Sequence, residues 1–567
     1  MTDYWEQTHY LLHGTGLQTW EYSPEYAIRS YFYCAAHALV AGAAGLLAGR
    51  ENKVVVFYCV RCALGAMSAY CEANFAYRVA LTCGTEVGLL LWLLLLSSAG
   101  MFHAAVAFVP SSFAMVLLTC AWTFWLATGS AEASATRQRR SSTLYIGAIW
   151  SVAAATLVGW PFAGIVACGP LAVDALLGLG VVPFFREAAT AFLVFVLPSA
   201  LFDSYMYGRP VLAFLNILLY NSSADKGSGA QLYGVEPWHY YLHNLALNFN
   251  AALPAAAVAP PLLLLAHAVT PSGSGSGSGN RSKAARSVST GRLLLILSGL
   301  YLWVGFFSCI PHKEERFMFP VYPLLCFAAA LAIATSSRLL CALLPSRLAG
   351  RRLRFTLAGG VVALCATISA MRAAGQVIYY GAPLRLYSEL HAEMARVTAL
   401  APSSSTTTHD SSPPPLVVCT GNEWYRFPSS FFLPRGSILA FVRDGFRGQL
   451  PAPYMEPPPR GSRLVPSHFN GLNREEPSRY IPLESCDVLV DLLPISGSND
   501  QAERAAFQRN LFRWRAAPFL DAARSPSWSR ALYVPMVSDH SNAYAEYALL
   551  LTPRGRKNLA ARGVPDV

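Results

Sequence analysis

The chain has 567 residues, of which 54% are hydrophobic and only 13% are charged. Soluble domains carry about 25% charged residues, so this composition and a mean hydropathy of +0.36 exclude an ordinary soluble protein and predict a polytopic α-helical membrane protein. The net charge is +11. Its Lys and Arg residues lie mostly in short loops between apolar runs, as the positive-inside rule requires, so no nucleic-acid partner is predicted.

Apolar runs near membrane-spanning length fill the first two thirds of the chain. Since about 20 apolar residues cross a bilayer, we predict about ten spans. The runs are 30–49, 54–71, 87–110, 113–128, 144–182 (two spans, with "GWPFAG" as the turn), 188–202, 245–269, 293–311, 317–335 and 355–371. No span is predicted in residues 372–567, where the strand-like stretches "PLVVC", "SILAFV" and "CDVLVDL" between Pro-rich loops indicate a mixed α/β region.

Basic residues orient the spans, because Lys and Arg in short loops mark the cytosolic side. They cluster at Arg50 and Lys53, in "RQRR" at 137–140, in the low-complexity linker 271–286 and at 338–354. Counting crossings from these loops places residues 1–29, 203–244, 311–316 and 372–567 in the lumen. The sequon at Asn221 then lies where glycosylation occurs, whereas the sequon at Asn280 is cytosolic and silent.

This topology leaves two difficulties. Three apolar runs separate Lys53 from Arg137, although two cytosolic ends require an even number of crossings. We therefore expect one run to be re-entrant, with "FVPSSF" at 108–113 as its tip. The polar segment 1–29 also has no hydrophobic anchor before it, so we expect a further transmembrane helix upstream of Met1 that an incomplete gene model has lost.

The loop "SCIPHKEERFMFPVYPL" before the 317–335 span is the most highly charged candidate site. His312, Lys313 and Arg316 could hold a lipid phosphate, with Lys and Arg as charged donors. Glu314 and Glu315 could bind sugar hydroxyls or orient the basic groups. Ionisable groups close to a membrane are often functional, but an ordinary interfacial loop with self-neutralising charges is the alternative.

The predicted lumenal loop 203–244 is rich in Tyr and also carries Asp203, Glu236, Trp238 and His239. Aromatic faces next to acids are typical of carbohydrate contacts. Tyr and Trp are equally suited to the membrane interface, so an aromatic belt is the alternative interpretation.

No metal site and no cofactor are predicted. Glu6, His9 and His13 could share a helical face, but one carboxylate and two imidazoles without a second cluster are more often incidental. No nucleotide-binding or serine-hydrolase motif lies in a sensible context. Among the 13 cysteines, Cys59-x-x-Cys62 lies in an apolar run and indicates packing, whereas Cys419 and Cys486 could pair if their region is lumenal.

The segment "HKEERFMFPVYPL" resembles the signature of glycosyltransferase family 22, the endoplasmic reticulum mannosyltransferases that use dolichyl-phosphate mannose. Further stretches resemble one branch of that family, which forms α-1,2 linkages in lipid-linked oligosaccharide assembly; among them are "YWEQTHYLLHG", "DSYMYGRPVLAFLNILLYN", "LYGVEPWHYYLHN", "EWYRFPSSFFLP" and "YVPMVSDH". The resemblance runs nearly end to end, broken by the linkers 270–290 and 402–415.

The resemblance implies a GT-C fold in the endoplasmic reticulum membrane, with lumenal loops forming the site. It implies that mannose passes from dolichyl-phosphate mannose to the oligosaccharide on dolichyl diphosphate, as its seventh and ninth mannoses. A β-linked donor and an α-linked product imply inversion by single displacement. A carboxylate would act as general base on the acceptor hydroxyl, and positioned cations would stabilise the leaving phosphate.

The resemblance also assigns roles to individual residues. The family carries an Asp-Glu pair, with the Asp as expected base, a few residues before the Tyr-Trp-Glu that matches Tyr4, Trp5 and Glu6; in this chain that pair would fall before Met1. Asp3 stands where the family has Asn, so the catalytic base is left unassigned. Tyr4, Trp5 and Glu6 are expected on the acceptor side, and His312, Lys313 and Arg316 at the donor phosphate.

Three other interpretations compete with this one. A sister enzyme would add mannose to a glycolipid-anchor precursor, but the C-terminal motifs resemble the oligosaccharide branch. A catalytically inactive paralogue would bind dolichol-linked lipids or act as a scaffold, with the missing acid pair as its support. A secondary transporter would show inverted repeats, and the sequence shows none.

Overall fold

The computed structural model describes residues 2–49, 52–129, 135–222, 232, 234–269, 288–345, 350–400, 414–493, 511–565 and 567. The linker 271–286 and Asn280 lie outside these ranges. The helices are α1 Thr2–His13, α2 Tyr31–Ala48, α3 Lys53–Cys83, α4 Thr85–Ser97, α5 Ala99–Ala104, α6 Pro110–Thr128, α7 Ala135–Ala154, α8 Gly164–Leu179, α9 Val181–Tyr207, α10 Ala213–Ser222, α11 Tyr240–Phe249, α12 Ala252–Ala257, α13 Ala259–Val269, α14 Thr290–Cys309, α15 Tyr322–Leu343, α16 Arg351–Tyr380, α17 Ala382–Leu400, α18 Ser527–Ala531, α19 Val537–Ser541 and α20 Pro553–Ala561. The strands are β1 Leu17–Gln18, β2 Leu416–Thr420, β3 Ser437–Phe441, β4 Ala452–Pro453, β5 Val488–Leu493, β6 Phe512–Leu520 and β7 Tyr544–Leu551.

The chain divides into two compact units. The first contains residues 1–60, 204–210 and 374–567, and the second contains residues 61–203 and 211–373. The first unit thus joins the two ends of the chain, and the second unit holds most of the apolar helices.

Eight helical segments within the described residues are long and apolar enough to cross a membrane, which confirms a polytopic helical protein. They are Tyr31–Ala48, Lys53–Cys83, Pro110–Thr128, Ser141–Gly159, Val181–Tyr207, Thr290–Cys309, Glu315–Leu343 and Arg351–Tyr380.

Two predicted spans form as broken helices instead of continuous ones. The run 87–110 is divided into α4 and α5 at Ser98, whose backbone is extended. The run 245–269 is divided at Asn250, whose positive φ of 38° is incompatible with a continuous helix. Hydropathy does not detect such breaks, because the flanking residues are all apolar.

Helix α15 forms the centre of the second unit. Its residues from Tyr322 to Ala334 are all buried, and the small residues Ala328, Ala329 and Ala330 let neighbouring helices approach closely. At the α14–α8 contact, a Cβ on Gly299 would lie 2.4 Å from the carbonyl oxygen of Val166. This close backbone approach explains why a glycine occupies that position.

The C-terminal part of the first unit contains a five-stranded sheet in the order β3-β2-β5-β7-β6. Strand β2 pairs in parallel with β3 and β5, and β7 pairs antiparallel with β5 and β6. The three stretches predicted as strands form β2, β3 and β5, which confirms the mixed α/β prediction. Cys419 and Cys486 form a disulfide within this region.

The side assigned to Lys53 is wrong. Its ammonium donates to the carbonyl oxygen of Ser430 at 3.0 Å, whereas the sequence topology placed these residues on opposite sides of the membrane. A hydrogen bond cannot bridge a hydrocarbon core about 30 Å thick. Lys53 therefore lies on the same side as the C-terminal region.

Helix α2 consequently begins and ends on one side and does not cross the membrane, although its length and composition would allow it. Near its start, the Tyr31 hydroxyl lies 2.7 Å from the Tyr454 hydroxyl, and Lys53 follows its end. Three crossings, by α3, by α4 with α5 and by α6, then separate Lys53 from Arg137. The odd number removes the parity conflict, so no re-entrant run is needed.

Candidate functional site

The candidate site of the second unit forms where two loops meet. The charged residues 312–316 follow α14, and residues 234–239 precede α11. The backbone N–H of Glu236 donates to the Pro311 carbonyl at 3.0 Å, and His312 Nδ1 lies 3.0 Å from the Gly234 carbonyl oxygen. Loops that the sequence marked separately as candidate sites are therefore neighbours.

Glu314 lies between two basic groups. Its Oε1 is 3.3 Å from His312 Nε2, and its two oxygens accept from Arg316 Nη2 and Nε, each at 2.7 Å. Burial by itself would raise the pKa of Glu314, but the bond from His312 and the charge of Arg316 lower it to about 2. The same hydrogen bond to Glu314 raises the pKa of His312, so the trio carries two positive groups around one fixed carboxylate at mildly acidic pH.

Lys313, predicted as a phosphate ligand, is held by backbone carbonyls in this structure. Its side chain is buried, and its ammonium donates to the carbonyl oxygens of Glu236 at 2.8 Å and Ile310 at 2.5 Å. These bonds fasten the 234–239 loop to the end of α14. Lys313 thus positions the loop, since a charge held by backbone carbonyls inside the protein does not face an incoming anion.

Glu315 contacts a histidine that the sequence analysis missed. Its Oε1 lies 2.8 Å from His103 Nε2 and accepts from Asn248 Nδ2 at 2.8 Å. His103 sits in α5, inside the apolar run 87–110. A polar residue in such a run is itself a signal of function, but only the fold brings it to Glu315.

Glu236 and Trp238 lie on the exposed side of the same loop pair, and the Trp238 side chain is 71% exposed. The backbone of Glu236 is fixed by its bonds to Pro311 and Lys313. An exposed ring and a carboxylate on a fixed loop are suited to contact a sugar, and Trp238 is equally suited to an interfacial position.

Tyr4, Trp5 and Glu6 belong to the first unit, and all three are buried. The carboxylate of Glu6 accepts from Ser430 N at 2.6 Å, Ser430 Oγ at 2.7 Å, Ser429 Oγ at 3.1 Å and Leu17 N at 3.0 Å. Burial raises its pKa, which these donors partly offset. These hydrogen bonds give the Glu6 carboxylate a structural role within the protein, and its contact with the acceptor stays a prediction.

The neighbours of Glu6 are occupied in the same way. The ring of Trp5 packs on Phe57 and Phe431, and the Tyr4 hydroxyl accepts from Arg29 at 2.7 Å. Direct acceptor contact by Tyr4 or Trp5 would require these buried side chains to leave their partners. The three residues therefore fix α1 in the first unit.

The remaining candidates are the possible metal ligands His9 and His13 and the glycosylation sequon at Asn221. His9 and His13 have ring centroids 4.5 Å apart, but the carboxylate of Glu6 is engaged by Ser429, Ser430 and Leu17. In the part of the chain that the structure describes, no group of three metal-ligating side chains forms. Asn221 is exposed at the end of α10, with its Nδ2 donating to the Ile217 carbonyl at 2.8 Å.

The geometry of the 312–316 cluster is suited to an anion. The Arg316 guanidinium is planar and presents several donors, and its side chain is 30% exposed while paired with Glu314. An incoming phosphate could compete with Glu314 for Arg316 and for protonated His312. Glu314 would hold both cations in place until that exchange.

Comparison with known proteins identifies the family of this chain. A sequence model described as the Alg9-like mannosyltransferase family matches residues 2–434. The chain is 37% identical to α-1,2-mannosyltransferase ALG9 of Homo sapiens, covering 98% of this chain and 85% of that protein. It is 34% identical to α-1,2-mannosyltransferase alg9 of Schizosaccharomyces pombe, covering 96% and 89%. GPI mannosyltransferase 3 of Trypanosoma brucei brucei is 31% identical over only 24% of this chain.

Among solved structures, ArnT from Cupriavidus metallidurans bound to undecaprenyl phosphate matches with a TM-score of 0.50 and 14% identity, covering 90% of each chain. This likeness supports the predicted GT-C fold alone. The family match and the relatives confirm the family expected from "HKEERFMFPVYPL". The chain therefore belongs to the Alg9-like mannosyltransferase family and is a glycosyltransferase of the membrane.

Proposed function

We propose that this mannosyltransferase transfers mannose from dolichyl-phosphate mannose to the oligosaccharide on dolichyl diphosphate. The new bonds are α-1,2 linkages, formed at the seventh and ninth mannoses during assembly of the N-glycan precursor. The enzyme works in the endoplasmic reticulum membrane, and its active site faces the lumen. The relatives that share 31 to 38% of its residues and carry the name α-1,2-mannosyltransferase support the linkage.

The observation that carries the proposal is the ion-paired trio of His312, Glu314 and Arg316 beside the exposed Glu236 and Trp238. In an inverting transfer, the acceptor oxygen attacks the anomeric carbon while the bond from that carbon to the donor phosphate breaks. The proton of the acceptor hydroxyl passes to a general base. The phosphate leaves with additional negative charge, which Arg316 and protonated His312 would stabilise.

The disulfide between Cys419 and Cys486 supports the lumenal placement. Structural disulfides persist in oxidising compartments such as the endoplasmic reticulum lumen. Lys53 and Ser430 lie on the same side as this disulfide, and the basic residues at 137–140 and 338–354 are expected on the cytosolic side.

The experiment that tests the proposal replaces Arg316 by Ala. We expect transfer from dolichyl-phosphate mannose to fall by about 10²- to 10³-fold, because a positioned charge on the leaving group is lost. Donor binding, measured separately, should weaken as well. A radiolabelled donor and purified lipid-linked acceptor give the transfer rate.

Arg186 provides a matched control. It is 69% exposed and pairs with its neighbour Glu187, so Arg186→Ala should leave transfer unchanged. Arg316→Lys should recover only part of the rate, since an ammonium cannot form the planar two-point contact of a guanidinium. Normal transfer by a folded Arg316→Ala protein would remove the donor-phosphate assignment.

A further inference from the structure

An apolar surface of the first unit lies beside the end of a membrane-spanning helix. The surface consists of Trp528, Met536 and Val537, which are all exposed; the Met536 side chain is 75% exposed and Trp528 is 55% exposed. We call it the Trp528–Val537 surface. Neither the proposed transfer reaction nor the candidate site uses these residues.

The segment that carries this surface packs on the last turns of α16. The Tyr379 hydroxyl donates to the Ser529 carbonyl at 2.8 Å, and the rings of Tyr379 and Tyr533 are 5.9 Å apart. A Cβ on Gly375 would lie 3.4 Å from the backbone nitrogen of Tyr533. The segment 527–541 is therefore held at the level of residues 375–379.

Residues 375–379 of α16 lie at the level of the membrane interface. Helix α16 has 30 residues, which span about 45 Å, whereas the hydrocarbon core is about 30 Å thick. Arg372 marks the end of the apolar run, yet Val377 and Ile378 beyond it are still exposed apolar residues. The Trp528–Val537 surface thus lies near the end of a helix whose own last turns still expose apolar side chains.

The local backbone presents Met536 outward and holds it there. Met536 has φ +65°, a left-handed conformation that residues other than glycine rarely adopt. The Asp539 carboxylate accepts from the Met536 N–H at 3.3 Å and from the Tyr533 hydroxyl at 3.2 Å. The turn is thereby fixed with its largest apolar side chain pointing away from the unit.

We propose that the Trp528–Val537 surface inserts into the interface of the lipid bilayer and anchors the C-terminal sheet region to the membrane. Trp and Tyr favour the headgroup level, where one end of the ring is apolar and the other is wet. Two basic side chains lie in the same segment: His540 is exposed, and Arg530 is partly exposed and donates to the Ala522 carbonyl at 2.6 Å. If this surface bound a protein partner instead, it would remain in water in vesicles that contain this chain alone.

Photo-crosslinking in vesicles tests this assignment. The full chain carries p-benzoylphenylalanine at position 536, 528, 364 or 438 and is reconstituted into phosphatidylcholine and phosphatidylethanolamine vesicles. Leu364, 52% exposed within α16, is the positive control, and Ile438, 50% exposed in β3, is the negative control. Ile438 is suited as the negative control because it lies at the edge of the sheet away from α16. The ring of Tyr380 at the end of α16 contacts Phe519 of the edge strand β6, and β3 is the opposite edge strand.

We expect lipid adducts at 536 and 528 in yields close to those at 364 and several-fold above those at 438, as measured by mass spectrometry. Yields at 536 and 528 no higher than at 438, with normal adducts at 364, would overturn the proposal, as would adducts of 536 to protein alone.

A second measurement avoids the introduced side chain. Trp528→Phe should lose part of the fluorescence quenching by brominated lipid, and an unchanged quenched fraction would contradict insertion.

Discussion

At the scale of single residues, Glu6 shows how a motif residue can be structural. Its carboxylate lies in the interior with four donors, two of them from Ser430, which is 424 residues away in sequence. A buried carboxylate is tolerated only when it is hydrogen-bonded in this way. Glu6 therefore joins α1 to the segment after α17 and fixes the start of the chain within the first unit.

We predict that Glu6→Ala destabilises the first unit by about 3 kcal/mol, because several buried donors lose their acceptor. Glu6→Gln should destabilise the first unit less, since the amide keeps one oxygen that can accept hydrogen bonds from these donors. The check is thermal or denaturant unfolding of the purified protein in detergent. Glu389→Ala, which removes the exposed pair with Arg385, serves as control, and equal stability of the Glu6 and Glu389 variants would refute the assignment.

At the scale of helices, a polar network connects α6, α7, α8 and α14 inside the second unit. Asp174 accepts from Arg292 at 2.6 Å, from Trp125 Nε1 at 2.5 Å and from Tyr145 at 3.0 Å, and Arg292 also bonds to Thr128. Each of the four helices supplies at least one partner. The network fixes the mutual register of helices whose apolar surfaces alone allow sliding.

We predict that Asp174→Ala destabilises the second unit by about 1–3 kcal/mol, because it leaves the half-buried Arg292 charge without its acid. The double variant Asp174→Leu with Arg292→Met should be more stable than that single variant, since no charge remains. Unfolding of the purified chain in detergent measures both. If the double variant is no more stable than the single one, the loss does not come from the uncompensated charge.

At the scale of the whole molecule, residues near both ends of the chain build the first unit. Strand β1 near the start pairs with β4, and the disulfide joins Cys419 to Cys486 across 67 positions. A cross-link of this span restricts the unfolded chain, which is the main source of its stabilising effect. The sheet region thus has a covalent constraint in addition to its strand pairing.

We predict that replacing Cys419 and Cys486 together by Ser destabilises the first unit by about 4 kcal/mol, as expected for a loop of this length. The control is Cys62→Ser, because Cys62 is an exposed free thiol in α3. The loss of stability is measured by monitoring unfolding through the protease resistance of the sheet region. A double variant as resistant as the Cys62 control would show that strand pairing alone maintains the region.

Local sequence patterns could predict a large part of this protein. Hydropathy identified the membrane class and most spans, because the cost of burying charge in lipid acts on each segment separately. Alternation and composition predict β2, β3 and β5, and the density of charged residues at 312–316 indicates a candidate site. The motif in that loop also led to the family.

Contacts between distant residues were decided only by the tertiary structure. Lys53 lies on the side of Ser430, Lys313 is used by backbone carbonyls, Glu6 is enclosed by serines, and Glu315 meets His103. Hydropathy and residue type are the same whether a side chain faces a ligand or a partner hundreds of positions away. Which of the two it meets depends on how the helices and the sheet pack, and no local pattern contains that information.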